Sequence, residues 1–340
     1  MATYKEIQGA AVQALASSTG TLVGQIWYDT ANNLFKLQSF GTVNTFSSTP
    51  NLNVTRGDVR GAGTAASGFF AGGDLSGATE NWNGSAWTVS GAMNTPNTSG
   101  GACAGTQIAG VYAYGSPGGG GSGPPGRNVT EEYNGSTWSL VNNTIDPTRQ
   151  NTVGLGTQTS AIVFGGFLGP AAPPVSTNST VEYDGNCWTT GGNLAQARQG
   201  IAGAGDSSAQ TSCLAIMGME EVPGGQTNKN NVEEYNGTAW TAKNGLNTAR
   251  GYGAGLGTTD RAVVLGGNVS PQTQVEIWNG TCWSTNPSST PRACRSLAVT
   301  GTYPGTFSDG GVFGGGSPGS NVGTFEFTFD SLQSKTLTTT

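Results

Sequence analysis

Short runs that carry apolar or aromatic residues are separated along this chain by Gly, Asn and Pro. The run Val232–Tyr235 ends at Asn236-Gly237, and Trp240 follows three residues after this step. Short runs of this kind bounded by Gly and Asn are typical of β-strands. An Asn-Gly step between two of them favours a type I′ hairpin turn, because both residues tolerate positive φ. The stretch therefore predicts strand, two-residue turn, strand.

The same phrase occurs five times. In each copy an aromatic residue precedes Asn-Gly or Asp-Gly, and a Trp closes the hairpin. The copies are Trp82–Trp87, Tyr133–Trp138, Tyr183–Trp188, Tyr235–Trp240 and Trp278–Trp283. They follow one another at intervals of about 43 to 52 residues, which indicates a repeat architecture. We expect the five closing tryptophans to be equivalent and largely buried between repeats.

Two further strands precede each hairpin. In the clearest copy, the small-residue stretch Arg250–Leu256 is followed by the apolar strand Ala262–Leu265, which ends in a Gly pair. The pairs are Gly72-Gly73, Gly165-Gly166, Gly266-Gly267 and Gly314-Gly315, with imperfect copies at Tyr114-Gly115 and Met217-Gly218. Four strands per repeat predict the blades of a β-propeller. Small first-strand residues then suit the crowded centre, and the aromatic residues suit the wider rim.

The two ends of the repeat region complement each other. Val43–Ser47 has the position of a fourth strand, because Phe46 stands ten residues before Arg56, as in the later copies. Thr324–Phe329 has the character of a third strand and lacks the hairpin that should follow it. The sequence therefore predicts an all-β fold, a six-bladed propeller over residues 42–330 that a strand from residues 42–48 closes.

Residues 1–41 lie outside the repeat and are interpreted as an attachment or assembly segment, and residues 331–340 as a C-terminal tail. A hairpin within Val23–Gln38 carries an apolar set that has no core of its own: Ile26, Trp27, Tyr28, Leu34 and Phe35. Such a set is best covered by another chain, so we expect it to contact an assembly partner. If the hairpin joins the ring instead, the propeller has seven blades.

A Gly pair after an apolar strand, followed by a Tyr and a Trp, resembles the kelch-type propeller repeat over about residues 46–330. The opening residues 1–9, Gly24–Asp29 and Leu246–Arg250 are similar to kelch-like structural proteins of tailed phages of the marine type. The resemblance implies a non-enzymatic virion protein in a tail appendage or fibre, present in multiple copies. It further implies contacts with other virion proteins through residues 1–41 and recognition of a host-surface glycan or protein.

Composition narrows the remaining functions. The net charge is −6 without a basic stripe, which argues against nucleic-acid binding, and no apolar run is long enough to insert into a membrane. No secretory signal is evident, which is consistent with synthesis in the host cytoplasm and location in the virion. The chain has no His, which removes His-based catalytic triads and His-ligated metals, and Gly118–Gly121 lacks the residues of a phosphate-binding loop. We therefore expect no catalytic, cofactor or metal site.

The connections between second and third strands differ most between repeats. They are long in three consecutive repeats, Ser116–Asn128, Phe167–Ser179 and Met219–Asn231, and should crowd one sector of one face. Variable loops on a rigid scaffold are the usual place for binding. The candidate binding residues are Ser116, Arg127, Asn128, Phe167, Leu168, Glu220, Glu221, Asn228 and Lys229. Their chemistry suits a neutral glycan or a protein surface.

Two other functions remain open. The protein could be a head or tail decoration protein that binds only virion proteins, or a propeller enzyme that degrades glycans. A hydrolase needs paired carboxylates in a cleft. The adjacent Glu220 and Glu221 are in an extended segment, where they should point apart.

Repeated charges and cysteines have structural interpretations. An Arg precedes most first strands, as at Arg56 and Arg250, and a Glu lies near each third-strand aromatic residue, as at Glu80 and Glu132. We expect each Arg–Glu pair to join a blade to its neighbour, with an anion- or sugar-binding polar ring as the alternative. The five cysteines contain no Cys-x-x-Cys motif, so no disulfide framework is expected. Cys187 and Cys282 precede equivalent tryptophans and are expected to be small buried residues.

Overall fold

The computed structural model describes residues 13–15, 26–40, 44–74, 76–96, 100–116, 127–146, 148–168, 175–205, 208–300, 310–317, 319, 321–329 and 332–336. It divides into two units, Phe46–Thr328 and Met1–Thr45 with Phe329–Thr340. The described residues form strands and turns without a helix, which confirms the all-β class. Accordingly, no described helix could span a lipid bilayer.

Six four-stranded sheets make up the larger unit. Blade 1 contains β5 (Arg60–Gly63), β6 (Gly68–Ala71), β7 (Thr79–Trp82) and β8 (Trp87–Ser90). Blade 2 contains β9 (Ala102–Thr106), β10 (Ala109–Ala113), β11 (Thr130–Tyr133) and β12 (Trp138–Leu140). Blade 3 contains β13 (Val153–Thr157), β14 (Ser160–Phe164), β15 (Thr180–Tyr183) and β16 (Trp188–Thr190).

The second half of the ring has the same order. Blade 4 contains β17 (Ala202–Gly205), β18 (Cys213–Val222), β19 (Gly225–Tyr235) and β20 (Trp240–Lys243). Blade 5 contains β21 (Ala254–Gly257), β22 (Ala262–Leu265), β23 (Val275–Trp278) and β24 (Trp283–Thr285). Blade 6 contains β25 (Ala298–Val299), β26 (Gly311–Gly314), β27 (Thr324–Thr328) and, from the other end of the chain, β4 (Thr45–Thr49).

Strand β4 closes the ring, which confirms the prediction of six blades. It is the hydrogen-bonded neighbour of β27. The hydroxyl oxygens of Thr49 and Thr324 are 2.5 Å apart, and the Phe46 ring packs 5.7 Å from Phe325 and 5.1 Å from Phe327, measured between centroids. Blade 6 therefore has no missing strand.

The N-terminal hairpin belongs to a separate sheet, so it does not add a seventh blade. This sheet has the order β1 (Gln13–Leu15), β2 (Ile26–Asp29), β3 (Leu34–Phe40) and β28 (Leu332–Thr336). Strands β1 and β2 are parallel, whereas β28 pairs antiparallel with β3. The stretch that the sequence analysis treated as a C-terminal tail thus contributes a strand to the N-terminal sheet.

The first strands pack against one another in sequence around the propeller axis. Their glycines are required by this close approach: a Cβ on Gly255 would lie 2.5 Å from the Gly203 carbonyl oxygen, and one on Gly154 would lie 2.9 Å from the Cys103 nitrogen. Real Cβ atoms do not approach that closely. The expectation of small residues at the centre is confirmed.

The Gly pairs form the seam between consecutive blades. Both residues of a pair have positive φ, and the second N–H donates to the next blade, as in Gly166 N–H to Arg198 O (2.8 Å) and Gly218 N–H to Arg250 O (3.0 Å). The imperfect copies are true equivalents, since Tyr114 and Met217 also adopt positive φ, 64° and 53°. In blade 6 the pair is Gly315-Gly316, one residue later than expected.

The closing tryptophans lie between blades. Four are buried, and Trp240 is half-buried. Where the preceding blade begins its third strand with Thr, the indole N–H donates to that hydroxyl: Trp138 to Thr79 (2.8 Å), Trp188 to Thr130 (3.0 Å) and Trp240 to Thr180 (3.0 Å).

Two tryptophans lack this bond for different reasons. Trp283 packs in one cluster with Val232, which occupies the Thr position and has no hydroxyl. The Thr324 hydroxyl that corresponds to Trp87 is bonded to Thr49 and to the Pro50 carbonyl instead. Both indole nitrogens are buried without a hydrogen-bond partner.

The Arg–Glu pairs act within a blade, contrary to the expectation that they join neighbours. Arg56 pairs with Glu80 at 3.1 Å, and both side chains are fully buried. The carboxylate also accepts the backbone N–H groups of Asn53 (2.7 Å) and Val54 (3.1 Å), so it fixes the linker that enters its own blade. The pairs of Arg198 with Glu233 and of Arg250 with Glu276 repeat this arrangement.

The acidic residues named from the sequence mix two strand positions that face opposite sides. Glu80 and Glu276 face the buried arginines, together with Glu233 of blade 4. Glu132 and Glu182 lie one position later and accept the hydroxyl of a tyrosine from the next blade, Tyr183 (2.9 Å) and Tyr235 (2.7 Å). Glutamates at the second position therefore bond to a tyrosine of the next blade, whereas those at the first position hold the arginine and the linker of their own blade.

The hairpin turns have the expected length but not the expected type. Positive φ occurs at Gly84 and not at Asn83, so the two consecutive positive-φ residues of a type I′ turn are not formed at Asn-Gly. Asn83 instead accepts the N–H groups of Ser85 (3.0 Å) and Ala86 (2.9 Å). This geometry exposes the residue before each Trp, so the expected burial of Cys187 and Cys282 is wrong. All five cysteines are free thiols.

The tryptophan bonds predict opposite effects for two exchanges. Thr130→Val should lower the free energy of unfolding by about 1–3 kcal/mol, because it leaves the buried Trp188 N–H without a partner. Val232→Thr should raise it by about 0.5–1.5 kcal/mol, because it supplies the hydroxyl that Trp283 lacks. Urea unfolding of both variants measures the pair. Destabilisation by both exchanges would contradict the assigned role of this hydroxyl.

Candidate recognition site at the mouth of the propeller

The connections at the two ends of the ring differ in how much their length and sequence vary from blade to blade. We call the end that carries the two-residue hairpin turns the turn face, and the end at which the first strands begin the insertion face. On the turn face, Asn134, Asp184, Asn236 and Asn279 accept two backbone N–H groups each, as Asn83 does. The exposed side chains there are largely occupied in holding their own turns.

The insertion face carries the three long connections. Residues 117–126 and 169–174 of the first two lie outside the described part of the chain. The third is not a loop: β18 and β19 continue as a β-ribbon, with Met219 opposite Asn228 and Val222 opposite Gly225. We call Met219–Asn228 the ribbon.

The ribbon is fixed at its base. Met219 is buried, and its backbone exchanges hydrogen bonds with Gln199, with N···O distances of 2.8 and 2.9 Å. The Asn268 amide of blade 5 donates to Asn228 Oδ1 at 2.9 Å, and Glu220 pairs with Lys229 at 2.6 Å. A segment held at these points projects as a defined strand pair.

Six equivalent residues surround the channel opening on the insertion face, and we call them the mouth ring. All have positive φ between 50° and 72°: Asp58, Gly100, Asn151, Gly200, Tyr252 and Ser296. Backbone bonds link the ring from blade to blade, with Tyr252 N–H donating to Gly200 O (2.8 Å) and Ser296 N–H to Tyr252 O (2.7 Å).

A cavity of about 90 Å³ extends from this ring into the channel. First-strand residues of all six blades line it. Its polar lining comes from Arg60, Asn151, Thr152, Tyr252 and Ser296, and apolar residues such as Leu155 and Val299 line the rest. Concave sites that combine apolar walls with a few polar groups are the usual form of ligand pockets.

Polar side chains connect the mouth ring to the ribbon. The Asn151 amide donates to Tyr252 Oη at 3.3 Å and to Gln199 Oε1 at 3.0 Å. The Gln199 amide donates to Glu221, which also accepts the amide of Gln226 at 2.7 Å. The cavity mouth and the base of the ribbon therefore form one continuous polar surface.

Charges of both signs surround Tyr252. The pKa of its hydroxyl is raised to about 12, chiefly by burial, with Asp58 and Glu221 adding to the rise and Arg295 and Arg60 opposing it. Arg60 donates to the Gly101 carbonyl at 2.8 Å. Among the described residues, neither arginine forms an ion pair, so both keep donors that point to no protein acceptor.

The residues proposed from the sequence fall into three groups. Ser116 and Phe167 are buried at the start of their insertions, and Phe167 pairs through its backbone with Gln150. Arg127, Asn128 and Leu168 are half-buried. Glu220, Glu221, Asn228 and Lys229 are on or beside the ribbon, and Glu220 and Glu221 have separate partners, as expected from an extended segment. Together these residues belong to the connections of three successive blades, 2, 3 and 4.

The proposed assembly residues are exposed to different degrees. Ile26 and Leu34 are exposed, and Tyr28 and Phe35 are half-buried with ring centroids 5.2 Å apart. Trp27 is buried at 2 % exposure, so it does not offer the free surface that the sequence analysis expected. The exposed part of the set is therefore smaller than predicted.

Comparison with solved structures returns the same fold. The structure described as YjhT aligns with a TM-score of 0.66 at 14 % identity and covers 83 % of this chain and 96 % of that chain. At this identity the likeness establishes the fold alone. No family model matches the sequence, and no curated protein does.

A six-bladed propeller is thus established, and this fold suggests a binding or recognition module. Within the described residues, no cluster of three or more Cys, Asp or Glu side chains could hold a metal ion. The mouth ring escaped the sequence analysis. The sequence does mark these positions: two residues after the arginine position of each repeat there is either Gly, as at Gly100 and Gly200, or a polar or aromatic residue.

The buried tyrosines predict an alkaline limit to stability. Burial raises the pKa of Tyr252 from 10.0 to about 12 and also raises the pKa values of Tyr112 and Tyr114. Because the folded state holds these protons more tightly, their contribution to stability is complete below about pH 10 and is lost as the pH rises through 12. Urea unfolding across this range should show the fall, and Tyr252→Phe should reduce it. An unchanged slope in that variant would contradict the assignment.

Proposed function

We propose that this chain is a non-enzymatic recognition module of a phage virion, which displays the insertion face of its propeller to a glycan or protein of the host surface. The observation that carries the proposal is the difference between the two faces. Five nearly identical turns occupy one face, whereas the other carries long connections in three neighbouring blades, one of which is the ribbon, together with a polar cavity mouth. The placement in a virion rests on the resemblance of the sequence to kelch-like phage proteins.

The side chains of the insertion face support binding over catalysis. A glycan hydrolase requires two carboxylates that can exchange protons with a substrate. Glu221 is held by the amides of Gln199 and Gln226, and Glu220 by Lys229. Asp146 is paired with Arg149 at 2.9 Å. Asp58 forms no ion pair among the described residues, which suits a contact residue.

The separate N-terminal sheet supports a second function, assembly, that is distinct from recognition by the propeller. Its strands come from residues 13–40 and 332–336, and Ile26 and Leu34 expose apolar side chains on it. We propose that this sheet attaches the protein to other virion proteins in several copies. A modest affinity of each propeller for its ligand is then multiplied by the number of copies on one particle.

Shortening the ribbon tests recognition. Replacing Glu220–Asn228 with a short connection of the kind found at Asp74–Ala78 should leave the ring intact, because Met219 keeps its bonds to Gln199. Particles that carry this variant should attach to host cells at a reduced rate. The matched control is Thr281→Ser with Cys282→Ala, which gives the turn of blade 5 the sequence of blade 1. Equal attachment by both variants would remove the recognition role and favour a decoration protein.

Removing the N-terminal sheet tests attachment to the virion. Deletion of residues 1–43 together with 330–340 keeps the closing strand β4 and its partner β27. The truncated chain should fold as a propeller and fail to enter particles, as judged by protein composition of purified virions. Incorporation at the level of the full chain would show that another surface makes the assembly contact.

A further inference from the structure

The mouth ring carries side chains at positions where backbone geometry favours glycine. Gly100 and Gly200 show that the ring closes without a side chain, and the ring bonds of Gly200 and Tyr252 use backbone atoms. A bulky side chain at positive φ is strained. Yet Asp58, Asn151 and Tyr252 occupy this conformation, with φ of 50°, 56° and 58°. Strain retained at the rim of a cavity points to a use for the side chains themselves.

The space next to Tyr252 is shaped to fit its ring. A Cβ on Gly200 would lie 3.0 Å from Tyr252 Cδ1 and 3.1 Å from Cε1, so Gly200 leaves room for the aromatic side chain over the opening. The Asn151 amide, from the blade on the far side of Gly200, donates to the Tyr252 hydroxyl at 3.3 Å. The ring is therefore held from two sides while it lines the cavity.

The polar groups at the mouth include both donors and acceptors. Arg60 uses its Nε and one terminal nitrogen for the carbonyls of Gly101 and Val59, and Arg295 uses its Nε for Ser317. Their other guanidinium nitrogens have no hydrogen-bond partner among the described residues. Asp58 contributes a carboxylate, which has no described ion-pair partner.

These charges balance, because two acids, Asp58 and Glu221, and two arginines, Arg60 and Arg295, act electrostatically on the Tyr252 hydroxyl. An anionic ligand would meet Asp58 and Glu221, and a cationic ligand would meet the arginines. Sugar hydroxyl groups donate and accept at once, so they can satisfy both kinds of side chain. An aromatic ring supplies an apolar face together with a polar tip, which matches the C–H face and the hydroxyl edge of a pyranose.

We infer that the mouth of the channel binds one neutral, hydroxyl-rich sugar residue of a glycan, with Tyr252 as its stacking surface and Asp58, Arg60 and Arg295 as its polar contacts. This inference rests on the proposed recognition function and specifies its ligand. The ribbon, joined to Asn151 through Gln199 and Glu221, then borders the next part of the glycan.

Binding of the purified full chain to immobilised oligosaccharides tests the inference. One set of probes contains neutral hexose and N-acetylhexosamine chains, and a second set carries sialic acid, uronic acid or sulfate. The chain should bind members of the neutral set. Tyr252→Gly should weaken that binding by more than about tenfold, the effect expected from losing one strong contact.

Asp58→Gly is the second variant, and it is chosen because the exchange should not impair folding. Glycine is favoured at φ 50°, so this exchange should preserve or raise the melting temperature while it removes a polar contact. Its affinity for the neutral probes should fall by about tenfold, as expected for a hydrogen bond to a charged group. The control is Thr281→Ser with Cys282→Ala on the turn face, which should leave the affinity for the neutral probes unchanged.

The outcomes separate this inference from the proposed function. Loss of cell attachment on shortening the ribbon, with full glycan binding by folded Tyr252→Gly and Asp58→Gly, would keep the recognition face and overturn the sugar site. Binding only to the charged probes, or to no probe while particles still attach, would overturn the neutral-sugar assignment. Failure of both attachment and glycan binding to respond to any insertion-face variant would overturn both proposals.

Discussion

The hydrogen bond from the second residue of a Gly pair to the next blade is the contact on which the succession from blade 2 to blade 6 depends. Gly166 and Gly218 bring their N–H groups to carbonyls of the arginine positions, Arg198 and Arg250. The arginine side chains turn inward and are fully buried against Glu233 and Glu276. The arginine therefore contacts two blades. Its backbone carbonyl accepts a hydrogen bond from the preceding blade, and its side chain pairs with the glutamate that holds the linker of its own blade.

Because the backbone contact does not depend on the side chain, the residue at the arginine position can vary between repeats while the carbonyl contact is kept. The third strand of blade 3 has no Glu at the position that faces the arginine. Arg149 instead pairs with Asp146, and the Tyr114 ring lies 4.4 Å from its guanidinium carbon. Blade 6 has Cys294 in the arginine column, and Arg292 reaches the Gly315 carbonyl at 2.6 Å from a different backbone position. The carbonyl contact persists in both cases, since the Gly115 N–H donates to Arg149 O and the Gly267 N–H donates to Cys294 O.

The sequence was sufficient for the architecture because the repeat contains redundant information. Five copies of the hairpin and six of the second strand predicted the blades, and the spacing of Phe46 from Arg56 predicted the closing strand. Side-chain partners were harder to predict, because a shift of one residue in a strand reverses the face. Glu132 and Glu80 look alike in the sequence, although one accepts a tyrosine hydroxyl and the other a guanidinium group.

The candidate site shows the same limit. The insertions were evident from their length, but the third was expected to be a variable loop, and its continuation as a ribbon was not predicted. Tyr252 and Asn151 approach each other across Gly200, and three separate blades contribute to that contact. A pairing of this kind depends on the curvature of the whole ring, which local patterns do not specify.

Ring closure by β4 also sets an order of events during synthesis. Thr49 precedes its partner Thr324 by 275 positions, so the closing strand leaves the ribosome long before blade 6 exists. Domains generally fold from the N-terminal end as they are made, and an unpaired strand is exposed to association with other chains in the meantime. The composition of β4, Thr-Phe-Ser-Ser-Thr, leaves a single apolar side chain to be shielded while the strand waits. The polar residues of β4 thus limit association of the nascent chain with other chains before the ring closes.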